Sequence, residues 1–344
     1  MDIDGFGIVG GQEARESIQN LREKGSLQGV YLGFPEFHEK YRMALGVSTE
    51  WTGSPGSGKS EYLLECLLNT SLFHGWKHLL YVPDIGRKEI VLSKILQKLT
   101  GKTFDAKDKG TDRYITEEEV ERHIDWVLYH FKIVFRKSKQ KKITPYQFWD
   151  WAVELKQKEG LHTATIDSWK DLKRYVGRDG EPISRDDLYL EDVLEYRNAI
   201  LEEHDLHFHT VIHPRPTEKD ANGVRKPPHP YDLKGGPTWF DSGKCMITVH
   251  RVDETFNEVR IIVYKAKPET VAELGEVTMF FDKKYGRYYT KSHGVENGKP
   301  IEFKVFANKD YVQPINIGIA SLESDRVNSD LFSSDEEEDD GMPF

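Results

Sequence analysis

Apolar and polar positions along this chain follow two periods in turn. Short runs of five to seven residues, rich in β-branched and aromatic side chains, recur between longer segments with helical spacing. The first run, 47–52 (VSTEWT), predicts a strand, and 61–68 (EYLLECLL) predicts a helix a few residues later. The run 78–83 (HLLYVP) predicts a second strand. Residues 84–129 read as helical with a polar break at 102–114; the second part starts at Thr116, three residues before Glu119, a reciprocal capping pair. A third strand at 131–135, a helix at 145–159, a strand at 162–167, a helix at 187–204 and a strand at 207–213 follow. Beyond residue 245 the runs CMITVHR, VRIIVYK, VTMFF and GRYYT are strands separated only by turns. A mostly polar helix at 12–24, ended by Gly25, precedes all of these.

This order predicts an α/β fold. Strands alternating with helices form a mainly parallel, twisted sheet flanked by helices on both faces, and antiparallel strands are added at its C-terminal side. No internal repeat is visible. The expected organisation is an N-terminal segment with a short helix at 1–25, one domain at 26–310, and a flexible tail at 311–344. The chain has 344 residues, 38% of them hydrophobic, enough for a substantial core.

Charge changes the picture once it is divided. The formal net charge is −10, but residues 323–344 hold nine acidic residues and one basic one. The body therefore stands near −2 and is free to bind nucleic acid. With two cysteines, Cys66 and Cys245, there is neither a disulfide framework nor a cysteine metal cluster, which suits a reducing cytoplasm. The N-terminus lacks the basic start and apolar run of a signal peptide, and no stretch approaches the roughly 18 apolar residues of a membrane span.

Between the first strand and its helix lies Gly53-Ser54-Pro55-Gly56-Ser57-Gly58-Lys59-Ser60, which fits the phosphate-loop pattern G-x-x-x-x-G-K-[ST] at every fixed position. Glycines let several backbone N–H groups converge on one anion. Lys59 can then reach the β- and γ-phosphates of ATP, and the Ser60 hydroxyl can hold Mg²⁺. Such a loop needs a second carboxylate on the metal side, at the end of an apolar strand. Asp167, 108 residues past Lys59 at the end of Ala164-Thr165-Ile166, is the candidate; a cap of the next helix is its other reading. The basic turn 136–142 (RKSKQKK) is either a nucleic-acid contact or a solvated loop.

One ordered set is more specific than the loop alone: the loop, then ID-x-W at 166–169, VIHPRP at 211–216, YDLKGGPTWF at 231–240, ITVHR at 247–251 and YKAKP at 264–268. Over residues 26–290 it resembles the superfamily 4 ring helicases, the replicative helicases of bacteria and phages, and most of all the helicase part of phage primase-helicases. The resemblance implies a RecA-like ATPase core. It further implies a homo-hexamer on single-stranded DNA in the bacterial or phage-infected cytoplasm, with ATP hydrolysed between subunits. Gly53 to Ser60 would bind the triphosphate, Ser60 and Asp167 the Mg²⁺, and His213 would sense the γ-phosphate. Residues 214–236 would form a channel-facing loop, with Lys219, Arg225 and Lys226 on phosphates; 170–178 is a second basic candidate. No primase-like region precedes the core, so a separate primase is expected.

Two positions depart from the family. Asp84 stands where the family places a glutamate that polarises the attacking water, with Glu89 as a substitute. Lys265 and Lys267 stand where a K-x-R pair supplies an arginine finger, with Arg251 and Arg260 as alternatives. Lysine keeps the charge but loses the planar fork. These departures leave room for a replication-assembly switch or loader with weak hydrolysis, or for a recombinase-like strand-binding ATPase. The acidic run 335–340 (DEEEDD), followed by Gly-Met-Pro-Phe to Phe344, should be disordered. It resembles the tip of bacterial single-stranded-DNA-binding proteins, which implies docking on a primase, loader or polymerase. A solubilising tail and a DNA mimic folding back on the body are its other readings.

Overall fold

The computed structural model describes residues 2–3, 6–137, 142–216, 218, 225–251, 257–283, 285–290, 295–296 and 299–300. A nine-stranded sheet organises them. Its strands in chain order are β1 (Ser48–Thr52), β2 (His78–Tyr81), β3 (Phe131–Ile133), β4 (Thr163–Asp167), β5 (His207–Val211), β6 (Cys245–Arg251), β7 (Glu258–Lys265), β8 (Gly275–Asp282) and β9 (Arg287–Tyr289). In space the order is β9-β8-β7-β6-β1-β5-β4-β2-β3. From β3 to β6 all neighbours are parallel, and β7, β8 and β9 extend the sheet antiparallel. The boundary lies one strand later than the sequence pattern suggests. The CMITVHR run pairs parallel with β1, because Gly236–Ser242 forms a short helix that returns the chain across the sheet.

The helices are α1 (Gly11–Lys24), α2 (Lys59–His74), α3 (Lys88–Thr100), α4 (Glu117–His130), α5 (Pro145–Glu159), α6 (Asp186–His204) and α7 (Gly236–Ser242). Local chemistry sets several boundaries. Thr116 and Glu119 form the capping box of α4, and Thr144 with Gln147 that of α5, where Pro145 occupies the first turn. Helix α1 buries none of its residues against the body, and Ile18 and Leu21 stay exposed.

Every residue of β1, β2, β4 and β5 is buried, so all four strands are covered on both faces. On one side Trp149 of α5 stacks on Phe208 of β5, and Trp169 meets Trp239 of α7 edge-on. On the other, Tyr62 of α2 packs against Trp51, Phe37 and Tyr288. These strands are unusually polar for such depth, and each buried group must find a partner. His207 donates from Nδ1 to the Ala44 carbonyl at 2.6 Å, leaving Nε2 to accept from Thr49 at 3.1 Å. Trp51 donates to His209 at 3.1 Å, and His78 lies 2.7 Å from the Thr163 hydroxyl. Arg197 of α6, fully buried, forms an ion pair with buried Glu50 of β1. Removing one member of such a pair strands a charge in the core.

Burial pushes His78 and His209 well below the usual imidazole range, and His130, His162 and His207 down to about 4. Each is neutral when folded and gains a proton when unfolded near pH 6.5. Their stabilisation is therefore present above pH 6.5 and lost as pH falls toward 4. Buried Asp167 and Glu50, both raised, act in the opposite sense, two groups against five. Each histidine contributes up to about 1.4 kcal/mol per pH unit within that window. Urea unfolding midpoints should fall steeply between pH 7 and pH 5; a flat profile over that range would contradict the assignment.

Candidate nucleotide-binding site

The parallel strands bring their C-terminal ends to one edge of the sheet, and the loop Gly53 to Gly58 lies there between β1 and α2. Two glycines are needed by geometry. A Cβ on Gly53 (φ 150°) would lie 2.1 Å from the Val249 carbonyl oxygen, and one on Gly58 (φ 94°) 2.6 Å from the Tyr288 hydroxyl. Ser57 N–H donates to the Ser54 carbonyl at 3.1 Å, closing the turn, while Pro55 and Gly56 form its exposed crown. The first turn of α2 then opens directly behind, where free N–H groups and the helix dipole favour an anion. Lys59 is buried at 6% exposure and curls back, its Nζ 3.0 Å from the Gly53 carbonyl and 3.1 Å from that of Ser54. Burial lowers its pKa, while Asp167 and Asp84 nearby pull it back up. Tyr288 of β9 donates to the Gly58 carbonyl at 3.1 Å, bracing the loop.

Asp167 ends β4, next to this loop. It is 2% exposed, and its Oδ2 is buried with no hydrogen-bond partner. Burial pushes its pKa up to about 6; a hydrogen bond from Ser60 and the Lys59 charge oppose the shift, and Asp84 adds to it. A hydroxyl and a carboxylate oxygen converging beside a phosphate loop form the hard-oxygen donor set that Mg²⁺ takes. The orphaned oxygen of Asp167 fits that role.

Asp84 follows β2, its N–H on the Asp167 carbonyl at 3.3 Å. Its carboxylate is crowded. Lys170 Nζ lies 2.8 Å from Oδ1 and 2.9 Å from Oδ2; Oδ2 also takes His213 Nε2 at 2.9 Å and Ser168 Oγ at 3.1 Å. Partial burial alone would raise Asp84, but these donors, Lys170 foremost and then His213, hold it below the usual carboxylate range. Lys59, Ser60, Asp84, Asp167 and His213 thus share one edge.

The other residues named from sequence lie elsewhere. Lys265 ends β7 opposite Met246, at the strand ends remote from the loop. Its Nζ is held by the Phe240 and Asp241 carbonyls and lies 4.8 Å from the Phe240 ring. Exposed Lys267 joins it with Tyr264 and Leu274 in a cleft of about 730 Å³. Arg260 pairs with Glu276 of β8. Arg251 ends β6 on the loop side of the sheet, its Nε buried without a partner. Glu89 is exposed in the first turn of α3. In the segment 214–233, Arg215 N–H donates to the Asp232 carbonyl at 2.7 Å, and exposed Lys226 lies 3.9 Å from Glu218; Arg225 is exposed too. Lys219, most of the basic turn and the acidic tail fall outside the described residues.

Three contributors were missed as site residues. Lys170 was visible only as one of several basic residues after Asp167. Ser168 carried no signal beyond adjacency. Tyr288 acts on Gly58 across 230 positions, and no local pattern reports such a contact.

A RecA-like α/β domain carrying a complete phosphate-binding loop is the class that this fold and site define. No family model matches the chain. The fold is that of the ATPase domains of DnaB-like replicative helicases. One such solved ATPase domain superposes with a TM-score of 0.66 at 16% identity, covering 83% of this chain and 99% of that one. A "DnaB-Like Replicative Helicase", solved for its interactions with primase, superposes with a TM-score of 0.64 at 17% identity, covering 81% and 68%. In sequence the chain is 24% identical over 276 residues to the Twinkle homolog protein, chloroplastic/mitochondrial, of Arabidopsis thaliana. That match takes in 78% of this chain and 37% of the relative, so the chain spans just over a third of the relative's length.

Gly58→Ala tests the loop geometry. The left-handed backbone and the clash with Tyr288 should together cost roughly 1–3 kcal/mol, weakening binding of a fluorescent ATP analogue. Adding Tyr288→Phe, which removes the clashing oxygen, should restore part of the loss. Binding by the single variant equal to the wild type would contradict the geometry.

Proposed function

We propose that this chain is the ATPase motor domain of a ring-type replicative DNA helicase, of the phage kind, acting on single-stranded DNA. The observation that carries this reading is the convergence of Lys59, Ser60, Asp167, Asp84 and His213 on one sheet edge, in a fold shared with DnaB-like ATPase domains. ATP is the substrate. The loop amides and Lys59 would take its phosphates, Lys59 exchanging two carbonyl partners for the anion. Ser60 and Asp167 would hold Mg²⁺, which supplies charge neutralisation between the β- and γ-phosphates. Asp84 would orient the attacking water, and His213, hydrogen-bonded to it, would report the state of the γ-phosphate to the segment that follows.

Lys265 and Lys267 lie at the far end of the sheet from their own loop, which suits donation to a neighbouring subunit's site and hence a homo-hexameric ring. Docking of the acidic tail, with Phe344 at its tip, on a primase, loader or polymerase belongs to the same reading, as does a cytoplasmic setting. Cys66 and Cys245 are free and buried, in keeping with that setting. No helix among the described residues is long and apolar enough to cross a membrane.

One observation favours a second reading, a nucleotide-dependent assembly switch or loader with slow hydrolysis: the carboxylate meant to orient water is already engaged by Lys170, His213 and Ser168. ATP hydrolysis with and without single-stranded DNA separates the two. The motor reading predicts turnover stimulated several-fold by DNA and reduced at least about 100-fold in Lys59→Ala. Tight ATP binding with negligible turnover in either condition favours the switch.

A further inference from the structure

We propose that Lys170 is a phosphate-responsive latch on Asp84. The inference rests on the reading of Asp84 as the water-orienting carboxylate. Lys170 spans both oxygens of Asp84, at 2.8 and 2.9 Å, while Oδ2 also takes His213 and Ser168. A carboxylate so engaged offers little to a water, and the ammonium beside it weakens it as a hydrogen-bond acceptor. His213 Nε2 donates to Asp84, so Lys170 Nζ at 3.4 Å from that nitrogen has Asp84 as its partner in the cluster.

The base and the tip of Lys170 differ in freedom. Its backbone belongs to the short turn Trp169–Asp171, anchored by Trp169 at 5% exposure inside the aromatic core. Its side chain is 52% exposed. An ion pair that open to water is weak and readily exchanged, so a phosphate arriving nearby can draw the ammonium away. Asp84 keeps its hydrogen bonds from His213 and Ser168 when Lys170 leaves, and so stays oriented while becoming available. The basic residues Lys173, Arg174 and Arg178 follow on the same segment, so a polyanion approaching it meets Lys170 first among several cations. The phosphate is either that of a nucleic-acid strand or the terminal phosphate of the nucleotide.

Lys170→Met and Lys170→Arg, assayed beside the wild type and Lys59→Ala, test this. Lys170→Met should raise DNA-independent ATP turnover about 3- to 5-fold, the size of an exposed ion pair's hold, and shrink stimulation by an oligo-dT strand by the same factor; Lys170→Arg should restore both. No gain, or a loss, in Lys170→Met overturns the latch whether or not the wild type turns over. Binding of a fluorescent ATP analogue in the same samples separates the failures. Analogue bound without a gain overturns the latch alone, and no binding by the wild type overturns the ATPase reading with it. Two further arms assign the source. If a strand operates the latch, the log–log salt slope of oligo-dT binding falls by roughly 0.7 in Lys170→Met. If the nucleotide does, the preference for triphosphate over diphosphate analogues falls instead. Neither change would overturn the phosphate as trigger.

Discussion

Asp167 and Lys59 face one another in the same buried corner, and much of the site follows from that electrostatic arrangement. The carboxylate is disfavoured in its charged form by roughly 3 kcal/mol at neutral pH, judged from its pKa near 6. The lysine is also penalised by burial. Neither charge is fully satisfied by the protein: Lys59 rests on two loop carbonyls, and one oxygen of Asp167 has no partner. A magnesium–triphosphate supplies both missing partners together, cation to carboxylate and anion to lysine. Parallel strands are what make the corner possible, since β1 delivers the loop and β4 the carboxylate at the same edge.

Holding that edge in place takes polar chemistry deep in the core. Glu65 of α2 is fully buried between Arg287 of β9 and Lys98 of α3, and Arg287 also donates to the Lys98 carbonyl at 2.6 Å. The helix behind the phosphate loop is thereby tied to the last strand of the antiparallel extension, and Tyr288 reaches the loop from the same strand. The histidines and threonines of β1, β2, β4 and β5 pair across the sheet in a similar way. Such networks are costly when half satisfied and specify one packing when complete.

What the sequence disclosed divides along the same lines. Helix α5 at 145–159 and the start of α4 at Thr116 were legible because capping pairs and periodicity are local. The phosphate loop was legible because steric demand fixes its glycines. The parallel pairing of β6 was not: CMITVHR has the same period as its antiparallel neighbours, and only the return through α7 sets its direction. His207 and His209 gave a polar tone to a strand that is wholly buried, because their partners Thr49 and Trp51 lie 158 positions away. Lys170 was one cation among several until the fold placed Asp84 beside it.

Calorimetric titration of ATP into the protein at several magnesium concentrations, with Asp167→Asn alongside, bears most directly on the central pairing. The account predicts wild-type affinity that rises with magnesium, and an Asp167→Asn variant that still binds ATP but has lost that dependence. Equal magnesium dependence in the two proteins would contradict it.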